Sequence, residues 1–273
     1  MADRQLHLEY WLSKMQNLAL NWGLMNGHTN YQKFIILGRS RSGSNFLRGL
    51  MNSHSQIHVF GEIFQNKDQI GWAMDGYPQD LRTLQEFRDY AVDFLDQRVF
   101  HKFPRRIHAV GFKIFYYHAR DETWSPVWEY LKAQEGLKII HIMRGNILET
   151  HLSRQRAVLT DQWFNLTGVK EKPRPVTLKY EECLQDFVQT RQWEIETSRY
   201  FDRHPILDVF YEELAADHER VMAGVQDFLG VRREALNPET FKQSDQPLSV
   251  GIENYAELKE RFQGTPWAEF FSE

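Results

Sequence analysis

Cysteine is nearly absent from this chain, with one, Cys183, in 273 residues. A single thiol closes no intrachain disulfide and builds no cysteine-based metal site, which fits a reducing compartment. No run of about 18 apolar residues occurs, so no transmembrane helix is expected. Within the first twenty residues, Asp3, Arg4, His7, Glu9 and Lys14 interrupt any signal-peptide core. That stretch reads instead as an amphipathic helix over about residues 4–25, and the cytoplasm is the expected location. A net positive charge is also missing. Lys and Arg number 33 against 37 Asp and Glu, a formal charge of −4, which predicts no general affinity for nucleic acid or anionic membranes. The 11 histidines show no HExxH or similarly tight spacing, so no metal is expected. Repeats and low-complexity tracts are lacking as well.

What is present is an alternation of short apolar runs with helical patterns. Strands are expected at Lys33–Leu37, Ile57–Phe60, Val110–Tyr117, Leu137–Met143 and Ile206–Phe210. Helices are expected at Asn45–Asn52, Leu81–Gln97, Trp124–Gln134, Ile147–Ala157, Glu181–Tyr200 and Val221–Leu229. The tail from 237 reads as irregular and then helical from about Tyr255. This order predicts an α/β fold with a parallel β-sheet flanked by helices. Ligands of such sheets sit where strands end and helices begin. The residues to watch are therefore 38–45, Gly61-Glu62, 144–146 and Tyr211.

The first of these lies in FIILGRSRSGSNFLRGLMNSHSQIHVFGEIF, residues 34–64. Gly38 and Gly43 are spaced as in a phosphate-binding P-loop, but Ser44 and Asn45 stand where Lys and Ser or Thr are required. A Walker-type kinase or NTPase is therefore a poor alternative. The loop still offers what an anion needs. Gly43 permits a close backbone turn, and helix N–H groups face the loop. Ser40, Ser42 and Ser44 add hydroxyls, and Arg39 and Arg41 add charge. The other reading of the loop is a polar strand-to-helix turn capped by Ser44.

RSGSNFL resembles the phosphosulfate loop of sulfotransferases that use 3'-phosphoadenylyl sulfate, with Arg41 where the cytosolic small-molecule branch has lysine. IIHIMRGNILETHLSRQRA is similar to the family's 3'-phosphate element. Here Arg144 and Ser153 are nine residues apart, a spacing like that of bacterial carbohydrate sulfotransferases. VFYEELAAD looks like the segment that places a tyrosine, here Tyr211, near the adenine. FKQSDQPLSVGIENYAEL resembles the closing segment over the nucleotide, with Lys242, Gln243 and Ser244 as its contacts. The resemblance implies a P-loop nucleotide-kinase-like sulfotransferase fold and one domain over residues 1–273. Its nucleotide-binding core would run over about 33–230 and its covering segment over about 237–273. It also implies 3'-phosphoadenylyl sulfate as donor, adenosine 3',5'-bisphosphate as product, and a donor site of Arg41, Ser42, Gly43, Ser44, Asn45, Arg144, Ser153 and Tyr211.

Sulfonyl transfer is an in-line displacement, so the protein chiefly positions reactants and stabilises charge on the leaving oxygen. Arg41 suits that stabilising role, because a guanidinium does not readily release a proton. Glu62 suits the base. In GEIF it resembles the family's Gly-Glu segment, and a carboxylate beside Gly, Ile and Phe would be desolvated. The alternative for Glu62 is a structural ion pair with an arginine. Lys113, in an otherwise apolar strand, needs an anion or a solvated edge. With Tyr116, Tyr117 and His118 it is expected to line the acceptor site, against core packing as the other reading of the aromatics. Trp72, Tyr77, Trp163 and Phe164 are candidates to stack on sugar faces. The resemblance favours a saccharide or glycolipid hydroxyl as acceptor. A non-catalytic anion-binding module is the remaining alternative.

Overall fold

The computed structural model describes residues 15, 19–20, 26–72, 77, 79–160, 174–237 and 246–272. Its centre is a parallel sheet of five strands: β2 (Gln32–Gly38), β3 (Ile57–Glu62), β5 (Ala109–Phe115), β6 (Lys138–Met143) and β7 (Ile206–Phe210). Their spatial order is β3-β5-β2-β6-β7, with every neighbouring pair parallel. A two-residue antiparallel pair, β1 (Gly27–His28) with β4 (Phe103–Pro104), stands apart from it.

The middle strand reads FIIL because both of its faces are covered. Ile35 and Leu37 face a cluster with Val110, Phe112, Ile114, Val127 and Leu131. Phe34 and Ile36 face the opposite way, onto Leu47, Leu50, Val225 and Leu229. The helices supplying those layers are α1 (Ser44–Asn52), α4 (Pro126–Ala133) and α8 (His218–Leu229). A third cluster lies beside the sheet. In it α5 (Ile147–Thr160) and α6 (Tyr180–Tyr200) pack Leu148, Leu152, Cys183 and Phe187 against Leu248, Leu258, Phe262 and Phe270 of the C-terminal segment.

The strand order places a topological switch at β2 and β6. From β2 the chain runs towards β3 at one edge, and from β6 it runs towards β7 at the other. Ligands of such sheets bind above the C-terminal ends of the strands at that switch point, where the 38–44 loop and Arg144 lie.

Several elements differ from expectation. The helix expected over Leu81–Gln97 is divided into α2 (Leu81–Asp89), α3 (Ala91–Phe94) and a π-helical turn at Leu95–Val99. Tyr90 breaks it at φ −132°, ψ 53°, and the new direction turns Ala91, Phe94, Leu95 and Val99 into the core. A short helix, α7 (Tyr211–Ala216), follows β7 directly, and α8 then starts at His218, capped by the Asp217 side chain on the Arg220 N–H. Strand β5 stops at Phe115, so Tyr116 and Tyr117 lie in a turn. Trp72 is no sugar platform: it is buried between Phe60, Phe94 and a stacked Tyr77 ring. The expected N-terminal helix falls largely outside the described residues, as do Trp163 and Phe164.

Candidate active site

The 38–44 loop is held in an unusual backbone path. Arg41 has φ 68° and Gly43 φ 89°, both left-handed. Non-glycine residues take that region rarely, and where they do it commonly marks a functional turn. Gly43 precedes α1 with ψ 8° and no side-chain cap. The N–H groups at the start of α1 therefore receive no side-chain cap from it, and the helix dipole adds positive potential at that end. A Cβ on residue 43 would overlap the Tyr211 ring, so glycine is needed for contact as well as for φ. Ser42 fixes the turn by donating its hydroxyl to the Arg39 carbonyl at 2.8 Å, and Ser44 is buried.

Residues distant in sequence close on this loop. Arg41 Nε donates to Ser153 Oγ at 2.8 Å, and Arg144 Nη1 donates to the Arg41 carbonyl at 3.3 Å. The Arg144 guanidinium lies over the Tyr211 ring, 4.5 Å from its centroid. Arg144 also pairs with Glu149, and its Nε stands 3.8 Å from Glu212; that Nε is buried and makes no hydrogen bond. Burial and then the neighbouring Arg144 charge push the Arg41 pKa down. Like charges so placed favour an anion between them. Arg41, Ser42, Gly43, Ser44, Arg144, Ser153 and Tyr211 thus meet at one corner. Lys242, Gln243 and Ser244 lie outside the described residues.

A second group stands at the ends of β3 and β5. Phe60 pairs with Phe112, and the register then slips so that Glu62 stands opposite Lys113. The extra residue is Gly61, where a Cβ would run into the Gly71 carbonyl. This bulge brings Glu62 beside Lys113. Lys113 alternates with Phe112 and Ile114 along β5, so it points to the sheet face that α1 covers. There its ammonium reaches Glu62 Oε1 at 2.9 Å and the Asn45 side-chain carbonyl of α1. With only 2% of its side chain exposed, Lys113 has its pKa lowered by burial, which the Glu62 charge opposes. Glu62, expected from GEIF to be desolvated, is ion-paired. Its partner is a lysine, not the arginine that the alternative reading supposed.

Tyr116 and His118 are turned inward. The Tyr116 hydroxyl lies 2.7 Å from His141 Nε2, and His141 Nδ1 lies 3.1 Å from Asp208. His118 is buried against Phe115, accepts the Phe115 N–H at 3.2 Å, and is held neutral by burial, with its pKa lowered to about 4. Tyr117, between them, is the aromatic at the loop: its hydroxyl accepts the Ser40 N–H at 3.3 Å. Strand length decides this, because ending β5 at Phe115 moves each following side chain off the alternation. Among the described residues, no group of three or more His, Cys, Asp or Glu could hold a metal, and no helix is long and apolar enough to cross a membrane.

A family model described as "Sulfotransferase family" matches residues 33–235, which take in the loop, both arginines, Glu62 and Tyr211. The chain belongs to the sulfotransferase family. It is similar to Nodulation protein H of Rhizobium meliloti (strain 1021), 29% identical over 247 residues, covering 88% of this chain and 95% of that protein. It is also similar to Nodulation protein H of Rhizobium tropici, 26% identical over 249 residues, covering 88% and 93%. Among solved structures, a sulfotransferase from Alicyclobacillus acidocaldarius superposes with a TM-score of 0.50 at 16% identity, over 84% of this chain and 90% of that one. At that identity the likeness speaks for the fold: the strand pattern predicts its parallel α/β sheet, and the resemblance implies its sulfotransferase form.

Proposed function

We propose that this sulfotransferase moves the sulfonyl group of 3'-phosphoadenylyl sulfate to an acceptor hydroxyl, that of a carbohydrate or glycolipid. One observation carries the reading. Arg41, Arg144 and Ser153, from a loop, a strand end and a helix, converge at the sheet's switch point. Two cations, a hydroxyl and helix N–H groups together suit phosphate groups. Ser44 and Asn45 stand where a Walker loop needs Lys and a magnesium-binding hydroxyl, which favours this donor over a nucleoside triphosphate. The saccharide acceptor rests on the Arg41-containing loop and on the nine-residue Arg144–Ser153 spacing, both similar to bacterial carbohydrate sulfotransferases.

Glu62 takes the role of base. Its carboxylate is held by Lys113, and its side chain remains 19% exposed. It removes the acceptor hydroxyl proton as the oxygen attacks sulfur and the bond from sulfur to the bridging oxygen breaks. Arg41 and the N–H groups at the start of α1 stabilise the charge that gathers on the departing phosphate oxygen. Lys113 of β5 is fixed by Glu62 and by Asn45, which lies on the helix that carries the phosphate N–H groups, and it orients the base. It lies where it can meet the transferring sulfonyl group.

Calorimetric titration tests the donor. Adenosine 3',5'-bisphosphate is expected to bind tightly, without magnesium, and in preference to AMP and ATP. A preference for ATP with magnesium would overturn the reading in favour of a kinase or NTPase.

A further inference from the structure

Arg39 begins the same loop, but it reaches a different set of partners. Its Nη2 donates to Asp186 Oδ1 at 2.6 Å and its Nη1 to the Thr190 hydroxyl, while its guanidinium lies 5.4 Å from the Trp193 ring centroid. Residues 186, 190 and 193 share one face of α6. The second carboxylate oxygen of Asp186 takes Arg154 from α5, and His151 Nδ1 lies 3.1 Å from it. Thr190 donates its own hydroxyl hydrogen to the Asp186 backbone carbonyl at 2.7 Å, so it adds no negative charge. Glu194, on the same helix, is paired with Arg191 at 2.7 Å.

Among the described residues, two guanidinium groups therefore share one carboxylate in a buried setting, and their hydrogen bonds are incomplete. Arg39 Nε, Arg154 Nη1 and His151 Nε2 are buried and have no hydrogen-bond partner among the described residues. Arg39 is 8% exposed and His151 5%. A buried net charge with unmade donors is destabilising until an anion supplies both countercharge and acceptors. Water would satisfy the donors but leave the charge.

The cluster connects through aromatic rings to Tyr117, which lies against the loop. Trp193 lies against Arg39 and also against Tyr117, 5.7 Å between ring centroids. Tyr117 in turn accepts from the loop N–H of Ser40 and feels the charges of both Glu62 and Arg39. Ser153 and Arg154, adjacent on α5, project about 100° apart. The helix thus serves Arg41 with one side chain and Asp186 with the other.

We propose that Arg39 and Arg154 form an anion subsite for the acceptor, so that the enzyme prefers a saccharide carrying a carboxylate or sulfate over its neutral counterpart. The saccharide class rests on the function proposed above, while the anion site stands on the charge count. It is read by titrating the full-length protein with glucuronate and with glucose, each with and without adenosine 3',5'-bisphosphate. Glucuronate is expected to bind at least about tenfold more tightly. Arg154→Gln should abolish that preference, Arg154→Lys should retain part of it, and affinity for the bisphosphate should not change. An unchanged melting temperature establishes that each variant is folded. If Arg154→Gln does not fold, Arg39→Lys, which keeps the charge but loses the planar fork, should reduce the same preference.

Equal binding of the two sugars by the wild-type protein, or an undiminished preference in Arg154→Gln, would overturn the proposal. So would a loss in that variant that falls on 3'-phosphoadenylyl sulfate but not on the bisphosphate, because the anion would then be the donor's own sulfonyl group. Failure of the bisphosphate to bind would count against the donor reading alone, since the sugar titrations need no donor.

Discussion

At the end of β2 and β6 two arginines are drawn together, whereas at the end of β3 and β5 a lysine and a glutamate neutralise each other. Both corners lie at the C-terminal ends of the parallel strands and both are partly buried, yet their charges are arranged differently. Arg41's pKa is pushed down by burial and by the neighbouring Arg144 charge, while Arg144 itself pairs with Glu149 and stands 3.8 Å from Glu212; an arriving anion offsets the repulsion between the two arginines. Glu62, Lys113 and Asn45 already satisfy one another. A third charge there gains little in the ground state and can matter only when a proton moves. The contrast separates binding from chemistry. Donor affinity should come from the arginine corner, and turnover should depend on the ion pair.

The sharpest way to break that division is Glu62→Gln. It keeps the shape and removes the proton acceptor, so turnover should fall about 10²–10⁴-fold with affinity for adenosine 3',5'-bisphosphate unchanged by calorimetry. Near-normal turnover would leave Glu62 as a structural partner of Lys113, and a protein that binds the bisphosphate but has no turnover in any variant would be a binding module. Arg144→Ala should do the reverse. Loss of a charge-assisted contact to phosphate should weaken bisphosphate binding about 10- to 100-fold, with a much smaller effect on the rate at saturating donor. Unchanged affinity would remove Arg144 from the donor site.

The arginine corner was more legible in the sequence than the ion pair, for a physical reason. Loops after buried parallel strands are marked by composition, and Arg144 and Ser153 sit on a strand end and the helix that follows it, a short local span that the resemblance to the family's 3'-phosphate element relates. The pairing of Glu62 with Lys113 depends on a one-residue bulge at Gly61, which leaves no periodic trace. Choosing Tyr117 over Tyr116 and His118 depends on where β5 stops, and one residue reverses the side-chain direction. Arg39 and Asp186 are 147 positions apart. Only the recurrence of Asp186, Thr190 and Trp193 along α6 hints at a polar stripe seeking a partner. Tyr90 has no proline or glycine to announce the helix break there.

Gly43→Ala probes the loop geometry that the arginine corner relies on. Alanine at φ 89° is strained, and its methyl group would displace the Tyr211 ring, on which Arg144 lies. A loss of about 1–3 kcal/mol of stability is expected, together with weaker bisphosphate binding and little change in the Glu62–Lys113 pair. Urea unfolding and calorimetry read the two effects separately. Strain without a binding defect would show that Tyr211 and Arg144 act independently of the loop.

Acid should act on the other half of the sheet. His58 of β3, His101 before β4 and His118 after β5 are kept neutral mainly by burial, with pKa values lowered from 6.5 to about 3, about 4 and about 4. In the unfolded chain they take up protons near pH 6.5, so the unfolded state binds more protons below that pH. Stability from these groups is therefore complete above about pH 6.5 and is lost progressively as the pH falls towards about 4. Between pH 7 and pH 5 one such histidine accounts for about 1–2 kcal/mol. Hydrogen exchange at the two pH values should show β3 and β5 losing protection first, with β2 and β6 following only on global unfolding. His58→Gln, which cannot take up a proton there, should lessen the loss. Equal loss across all five strands would mean that the histidines do not set the acid limit, and that the two corners are not separable in stability as they are in charge.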